Sequence, residues 1–470
     1  MGGCPEDGAG DLRRYRFAYG NGKPTPIDWD SYARTPSIAD EAVTGGTRRR
    51  ILVISPWLPE PPFWGSAIRV RELVRTLSRR HSVTLVAYSH WWEEKHLSAV
   101  RDLCESVHTV KTTWRDGPDP AGRLKSFFFR EPHLFRRLGG PAMQATVDGL
   151  LARGNFDLVQ VESSQMTGLD LSRAPATVLD EHNIEYELLA RSVRFERSLP
   201  LKAFGLLEYL KVRRAERRAW RLFDGCVVTS EREVPEISAF TEGRPLAVVP
   251  NGVDLDYFAP QRGVSVSGLV FTGLMRYRPN IDAVTHFVTE VLPLIHESRP
   301  DVTLTIVGWG SNDEVRALLG PRVVATGQVP DVRPYLAGAA AVVAPIRMGS
   351  GTRLKVLEAL AMAKPLVSTS QACEGLDLVD GRHLLIANDP RRFADGVLRV
   401  LADPVYGARL GEAGRSIVAA RYGWDSAVAQ LEQLHERVLA GKSGLPHGSE
   451  VTGALATGRR LQHQDLTEVI

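Results

Sequence analysis

Short apolar runs alternate with amphipathic helical stretches along most of this chain, and they do so in two separate series. Arg50–Ser55 (RILVIS) reads as a strand, and Gly65–Arg79 as a helix carrying Ile68, Leu73, Val74 and Leu77 on its apolar side. Ser82–Tyr88, Phe156–Val161, Ala176–Leu179, Cys226–Thr229 and Ala247–Pro250 continue the first series. It ends at PNGVD, where Asn251-Gly252 signals a turn. A polar stretch, Ala259–Ser267, leads to the strands Leu269–Thr272, Val302–Val307, Val323–Ala325, Ala340–Ala344, Pro365–Ser368 and Leu384–Ala387. Strands separated by helices form parallel sheets covered on both faces. Two such series predict an α/β chain of two Rossmann-like domains facing a central cleft. Ligands of such sheets sit beyond the C-terminal strand ends. A chain of 470 residues has room for both domains.

The segment Pro345–Glu374 carries the most chemistry. An apolar strand runs into a loop with Gly349, Ser350 and Gly351, and a helix follows. Glycines let a ligand approach the backbone. A helix N-terminus offers free N–H groups and partial positive charge, which suits a phosphate. Thr352 is expected to cap the helix, and its first turns carry Arg353, Lys355 and Glu358. Lys355 and Glu358 share a face, so the segment predicts an anion held by Lys355 beside a carboxylate that accepts hydroxyl hydrogen bonds. The plainer alternative is an exposed Lys355–Glu358 ion pair.

Three further places belong to the cleft on this reading. Asp180-Glu181-His182-Asn183 follows a strand, so His182 is expected near a bound sugar, with Asn183 capping the next helix. Gly308-Trp309-Gly310 is half of a dinucleotide fingerprint and lacks the third glycine, since Asp313 stands there. Gly65 opens a helix after PWLPEPPFW, where it would contact donor phosphate or acceptor, or simply admit the chain to the helix.

A net charge of +3 argues against a general nucleic-acid binder. The charge is uneven, however. Leu201–Phe223 reads as a basic amphipathic helix with Lys211, Arg213, Arg214, Arg217, Arg218 and Arg221 beside Leu206, Leu207, Leu210 and Trp220. Arg123–Arg137 is basic and aromatic. Either suits an anionic membrane surface or an anionic acceptor. Four scattered cysteines without metal spacing fit a reducing cytoplasm. The N-terminus lacks the apolar core of a signal peptide, and no apolar run reaches the ~18 residues of a membrane span. The expected location is the cytoplasm, with any membrane contact peripheral, at the inner face.

From about residue 50 to 440 the chain resembles the group 1 (family 4) glycosyltransferases of the GT-B architecture. The matching pieces are LDEHNIEYE, VVPNGVDLDYF, FTGLMRYRPNIDA, TIVGWG, TGQVPDVRPYLAGAAAVVAPI, GSGTRLKVLEALAMAKPLVST and EGL, in that order. The resemblance implies a retaining, metal-independent transfer of a hexosyl group from a nucleoside diphosphate sugar to a glycan, lipid-linked or small-molecule acceptor. It implies no cofactor. It places Lys355, Arg353 and His182 in catalysis, and Gly273, Arg276, Arg278, Gly308, Ser350, Gly351, Thr352 and Glu358 at the donor. Residues 1–48, rich in Gly, Pro, Asp and Arg with little periodicity, read as a flexible extension, and 441–470 as a similar tail; between them the resemblance implies an acceptor domain (49–258), a donor domain (259–423) and a helix crossing back (424–440).

Two departures stand out. The family's paired glutamates eight positions apart become Ser350 and Glu358, so one carboxylate near the donor sugar is missing or supplied elsewhere. Leu274 and Pro279 occupy the usual Arg and Lys positions, and Arg276 or Arg278 is expected to substitute, with Arg353 adding charge. The competing functions are a nucleotide-sugar epimerase on the same architecture, an inactive carbohydrate-binding scaffold, and an NAD-dependent oxidoreductase, which the incomplete glycine fingerprint disfavours.

Overall fold

Leu52 and Ile54 of the first strand enter one apolar core while Ile51 and Val53 enter another, because successive side chains of a strand point to opposite faces. All four are essentially inaccessible, which is why this strand reads as a continuous apolar run. The computed structural model describes residues 47–443 except 63, 91–95, 113–118, 197, 262–267, 309, 311–312 and 349–351. Most of the expected extension, linker and tail therefore lies outside the described residues.

The first sheet contains β1 (Arg50–Ser55), β2 (Ser82–Ser89), β3 (Ser106–Lys111), β4 (Leu158–Glu162), β5 (Thr177–Glu181), β6 (Gly225–Val228) and β7 (Leu246–Val248). Its order is β3-β2-β1-β4-β5-β6-β7, with every pairing parallel. The second sheet contains β8 (Leu269–Thr272), β9 (Leu304–Val307), β10 (Val323–Gly327), β11 (Ala341–Ala344), β12 (Leu366–Ser368) and β13 (Leu385–Ile386). Its order, β10-β9-β8-β11-β12-β13, repeats the same doubly wound plan. Strand order reverses between β1 and β4 and between β8 and β11, where such sheets open crevices at their C-terminal edges.

Sequence periodicity finds all of these strands but β3; β1 and β8 have the expected bounds, and the others differ by one or two residues at one end or both. Strand β3 (SVHTVK) is an edge strand with only Val110 fully buried, so it carries little apolar signal.

The helices that shape the site are α1 (Gly65–Ser78), α2 (Pro120–Ser126), α3 (His133–Leu138), α4 (Glu185–Phe195), α5 (Leu199–Leu222), α6 (Arg278–His286), α7 (Leu354–Ala361), α8 (Pro404–Arg421) and α9 (Trp424–Ser443). Helix α5 corrects the sequence reading. Its buried stripe runs through Glu208, Val212, Glu216, Ala219 and Trp220, while Leu206 and Leu210 point outward. Glu208 accepts from Ser126 Oγ (2.6 Å) and from the backbone N–H of His133 (2.7 Å). Glu216 accepts from Ser164 Oγ (2.9 Å) and from the N–H groups of Glu185 (2.8 Å) and Tyr186 (3.0 Å). The two carboxylates thus satisfy the first turns of α3 and α4. The N-cap residues of those helices, Pro132 and Ile184, offer no side-chain acceptor. Asn183 is therefore not the cap of α4.

The two halves are joined twice. The chain leaves the first sheet through Asn251-Gly252-Val253 and returns beside it, with Val253 donating to the Tyr422 carbonyl (2.7 Å). A Cβ on Gly252 would sit 2.7 Å from the Trp424 ring, so the crossing needs glycine there. Beyond it, α9 lies on the first sheet: Trp424, Val428, Leu431, Leu434 and Val438 share the core of Ile51 and Val53. No helix among the described residues is long and apolar enough to cross a membrane.

Candidate active site

A cavity of about 670 Å³ opens between the two halves, lined by α1, the residues just after β5 and the start of α4 on one side and by β8, α6 and α7 on the other.

The second-domain wall is built around Lys355. It sits in the first turn of α7, and Thr352, Arg353 and Leu354 beside it also line the cavity. Lys355 Nζ donates to Asn280 Oδ1 (2.8 Å) and lies 4.0 Å from the centre of the Phe271 ring. Lys355 therefore bonds Asn280 rather than forming the exposed pair with Glu358. Loss of hydration, with Arg353 close by and Glu358 opposing, lowers the Lys355 pKa to about 7. Loss of hydration likewise raises Glu358 to about 7, opposed by Lys355. Burial lowers the Arg353 pKa too. Arg353 occupies the N-cap position of α7 and donates from Nη2 to the Met348 carbonyl (3.3 Å). Thr352 is thus not the cap. Its buried Oγ1 has no hydrogen-bond partner, and the residue lines the cavity.

Glycines set the depth of this wall. A Cβ on Gly273 would come within 2.8 Å of Lys355 Nζ. Gly308 has φ +146°, and a Cβ there would collide with the Gly273 carbonyl oxygen at 1.9 Å. Both residues line the cavity. Arg276 and Arg278 do not join the described lining residues. Both are exposed, and Arg278 pairs with Glu314 (2.8 Å). Ser350 and Gly351 lie outside the described residues. Gly65 and Leu354 both line the cavity, and a Cβ on Gly65 would lie 3.8 Å from Leu354 Cδ1, an ordinary contact, so steric space does not demand glycine there.

The first-domain wall is built around His182 and Arg69. His182 follows β5, is buried and lines the cavity. Its Nε2 is 2.8 Å from Glu162 Oε2, and its Nδ1 is buried with no hydrogen-bond partner. Arg69 on α1 is 1% exposed and grips both oxygens of Asp180, at 3.0 and 2.9 Å. Its Nη1 donates to Val249 O and Asn251 Oδ1, both at 3.0 Å. One buried guanidinium thus ties helix, strand end and inter-domain crossing together. The sequence gives no local sign of this, since Arg69 and Asp180 lie 111 positions apart. Glu181 does not line the cavity. Burial beside Glu216 pushes its carboxyl well above the usual range. Glu185 does line the cavity, and burial near Glu216 raises it to about 8.

Ligand-capable atoms of Glu162, Asp180 and His182 lie within 4.8 Å of one another. They are already bonded, however: Asp180 by Arg69, and Glu162 by Gln160 and His182. The set reads as a hydrogen-bond cluster. At the rim, Glu374 of the EGL segment bridges to Arg232 (2.8 Å) and Arg191 (3.5 Å) of the first domain.

Residues 64–257 match the model of Glycosyltransferase Family 4, and residues 267–403 match that of Glycosyl transferases group 1. The chain is 28% identical over 325 residues to the phosphatidyl-myo-inositol mannosyltransferase of Mycobacterium tuberculosis, covering 64% of this chain and 78% of that protein. It is 25% identical over 238 residues to the lipopolysaccharide core biosynthesis mannosyltransferase LpcC of Rhizobium leguminosarum, covering 47% of this chain and 66% of that one. In fold it resembles sucrose-phosphate synthase from Thermosynechococcus elongatus (TM-score 0.63, 18% identity, 84% of this chain and 100% of that one). It also resembles Anabaena HepE in complex with UDP and glucose (TM-score 0.57, 14% identity, 85% and 100%). The two matches in tandem, over two doubly wound sheets facing one cleft, make this chain a group 1, family 4 glycosyltransferase of the GT-B architecture.

Proposed function

We propose that the enzyme transfers a hexosyl group from a nucleoside diphosphate sugar, with retention and without a metal ion, to a glycan or lipid-linked acceptor at the inner face of a membrane. One observation carries this reading. Lys355 is a poorly hydrated cation at a helix N-terminus in the cleft wall, with Arg353 beside it. The leaving diphosphate gains negative charge as the glycosidic bond breaks, and preorganised cations in a cleft stabilise that charge. Glu358 would accept ribose hydroxyls, and His182 on the other wall would take a sugar hydroxyl. The mannosyltransferase names of the two relatives above support a hexosyl donor, and the first supports a lipid acceptor. The same assignment puts Gly273, Gly308 and Thr352 against the donor.

A hydrophobic, basic surface on the first domain supports the lipid side. Leu124, Phe127, Phe128 and Phe129 around α2 are exposed, Phe128 by 84%. Phe127 meets Phe204, which joins this surface to the exposed Leu206 and Leu210 of α5. Arg123 and Arg136 lie over Phe204 and Phe129 at 5.8 and 3.8 Å. This surface, rather than the whole basic helix, is the proposed lipid contact. Lys211 is turned inward to Ser126 (2.9 Å), and Arg217 pairs with Glu236 (2.9 Å). Exposed apolar rings among cations suit an anionic interface, with about 1 kcal/mol from each cation near the surface.

Incubation of the purified chain with UDP-, GDP-, ADP- and dTDP-hexoses, with and without acceptor lipid, tests the reading. The expected outcome is acceptor-dependent release of nucleoside diphosphate that persists in EDTA, with a product of the donor's anomeric configuration. Donor conversion without acceptor would instead mark an epimerase. Restoration of lost turnover by Mg²⁺ after chelation would overturn the metal-free account. Anionic vesicles should sediment the protein at low salt, and Phe128→Ser should weaken this. Equal failure to bind anionic and neutral vesicles would remove the membrane contact.

A further inference from the structure

We infer that Glu162 is a positioning residue that fixes the tautomer of His182, and that Gln160 extends the same hydrogen-bond chain to His435 on α9. The inference rests on the reading of His182 as a residue of the site.

Strand β4 lies in the middle of the first sheet and is buried along its whole length. Leu158, Val159 and Val161 are what such a strand needs. Gln160 and Glu162 are not, yet both are 0% exposed. Two apart on a strand, they point to the same face. A carboxylate and an amide in that position are costly unless every polar atom is bonded.

The bonds are present, and with Glu162 ionised and His182 neutral they admit one arrangement of protons. Glu162 Oε1 accepts from Gln160 Nε2 (2.6 Å), and its Oε2 lies 2.8 Å from His182 Nε2. A carboxylate only accepts, so His182 carries its proton on Nε2. Gln160 must turn its NH₂ toward Glu162, which leaves Oε1 facing His435 Nε2 at 2.9 Å. An amide oxygen also only accepts, so His435 carries its proton on Nε2 as well. His435 is 3% exposed, and burial, with His81 nearby, lowers its pKa to about 3. It is therefore a neutral ring with a single proton to commit.

What remains is the Nδ1 lone pair of His182, without a partner, on a residue that lines the cavity. The chain makes this nitrogen an acceptor, suited to a sugar hydroxyl, and denies it the role of a neutral donor. It also makes the docking of α9, 275 residues away from Gln160 in sequence, part of what holds the ring. The partner of one imidazole nitrogen decides which form the other presents.

Nitrogen-15 spectra of the imidazoles in the full chain test this directly, with signals assigned by their loss in His182→Gln and His435→Gln. The wild type should show both rings as the Nε2–H tautomer. Nδ1–H at His182 would overturn the proposal without any further variant. In Glu162→Gln the new amide must donate to one neighbour and accept from the other. One of the two histidines should therefore change tautomer, and turnover should fall about a hundredfold as the ring loses its fixed orientation. Unchanged spectra at both rings would overturn the chain. Gln160→Leu removes the acceptor of His435, which should then populate both tautomers while His182 keeps its own. An unchanged His435 would remove that link. These spectra need no substrate, so absence of glycosyl transfer by the wild type would sink the proposed function and leave the tautomers as a separate result.

Discussion

The two walls of the cleft solve opposite electrostatic problems. The second-domain wall concentrates poorly hydrated basic groups, Lys355 and Arg353, at one helix start. The first-domain wall buries carboxylates: Glu162, Asp180, Glu181 and Glu216 are each at most 1% exposed. Asp180 is paired with Arg69 and Glu216 accepts backbone N–H groups, while both oxygens of Glu181 are buried without a hydrogen-bond partner and burial favours its protonated form. On the proposed function the second-domain wall takes an anion, whereas Glu162, Asp180 and Glu216 already have partners within the first domain. On that reading the contrast separates a surface that binds from a scaffold that holds His182 and the crossing in place.

The largest effect should come from breaking the first-domain wall. Asp180→Ala leaves the Arg69 guanidinium buried without its carboxylate. The expected cost is about 3–5 kcal/mol of stability, read by denaturant unfolding. A loss under about 1 kcal/mol would mean that Arg69 finds water or another partner, and the contrast would weaken.

Lys355→Ala should do the reverse, sparing stability and removing catalysis. Loss of one group that stabilises leaving-group charge should raise the barrier by about 2–4 kcal/mol. Unfolding midpoints should stay near the wild type. Near-normal turnover would deprive the second-domain wall of its proposed purpose.

The smallest effect is a proton. With its pKa near 7, Lys355 is mostly neutral at pH 8 in the empty cleft. A diphosphate beside it favours the charged form and so raises that pKa. Binding should then take up close to one proton at pH 8, and affinity should fall as pH rises above about 7, by at most tenfold per unit. Calorimetry in buffers of different ionisation enthalpy measures the uptake, and Lys355→Met should abolish it. Uptake that survives in that variant would assign the proton to Glu185 or Glu358.

The same contrast governs how much was legible beforehand. GSGTRLKVLEALA holds loop, helix start, cation and carboxylate within thirteen consecutive residues, so spacing alone put Lys355 and Glu358 on one face. Even there the cap was misassigned, because Thr352 is a good capping residue but the turn places Arg353 at that position. Asn183 failed likewise: Glu216, on another helix, meets the free N–H groups of α4. Arg276 and Arg278 are the expected substitutes for missing cations; both are exposed, and neither is among the described residues that line the cavity. Counting charges along a loop does not say which way each one turns.

The sequence by itself determined two parallel α/β sheets and the helix that carries Lys355 and Glu358. Apolar runs that alternate with helical periods, and a glycine loop before a helix, are local patterns with local physical consequences. Only the tertiary structure decided that Arg69 would clamp Asp180 and Asn251, that Glu208 and Glu216 would point inward from a basic helix, and that Gln160 would meet His435. A buried polar side chain is stable only with its partner in place. Those partners stand as many as 275 residues away, brought within reach once two sheets and the returning helix have packed.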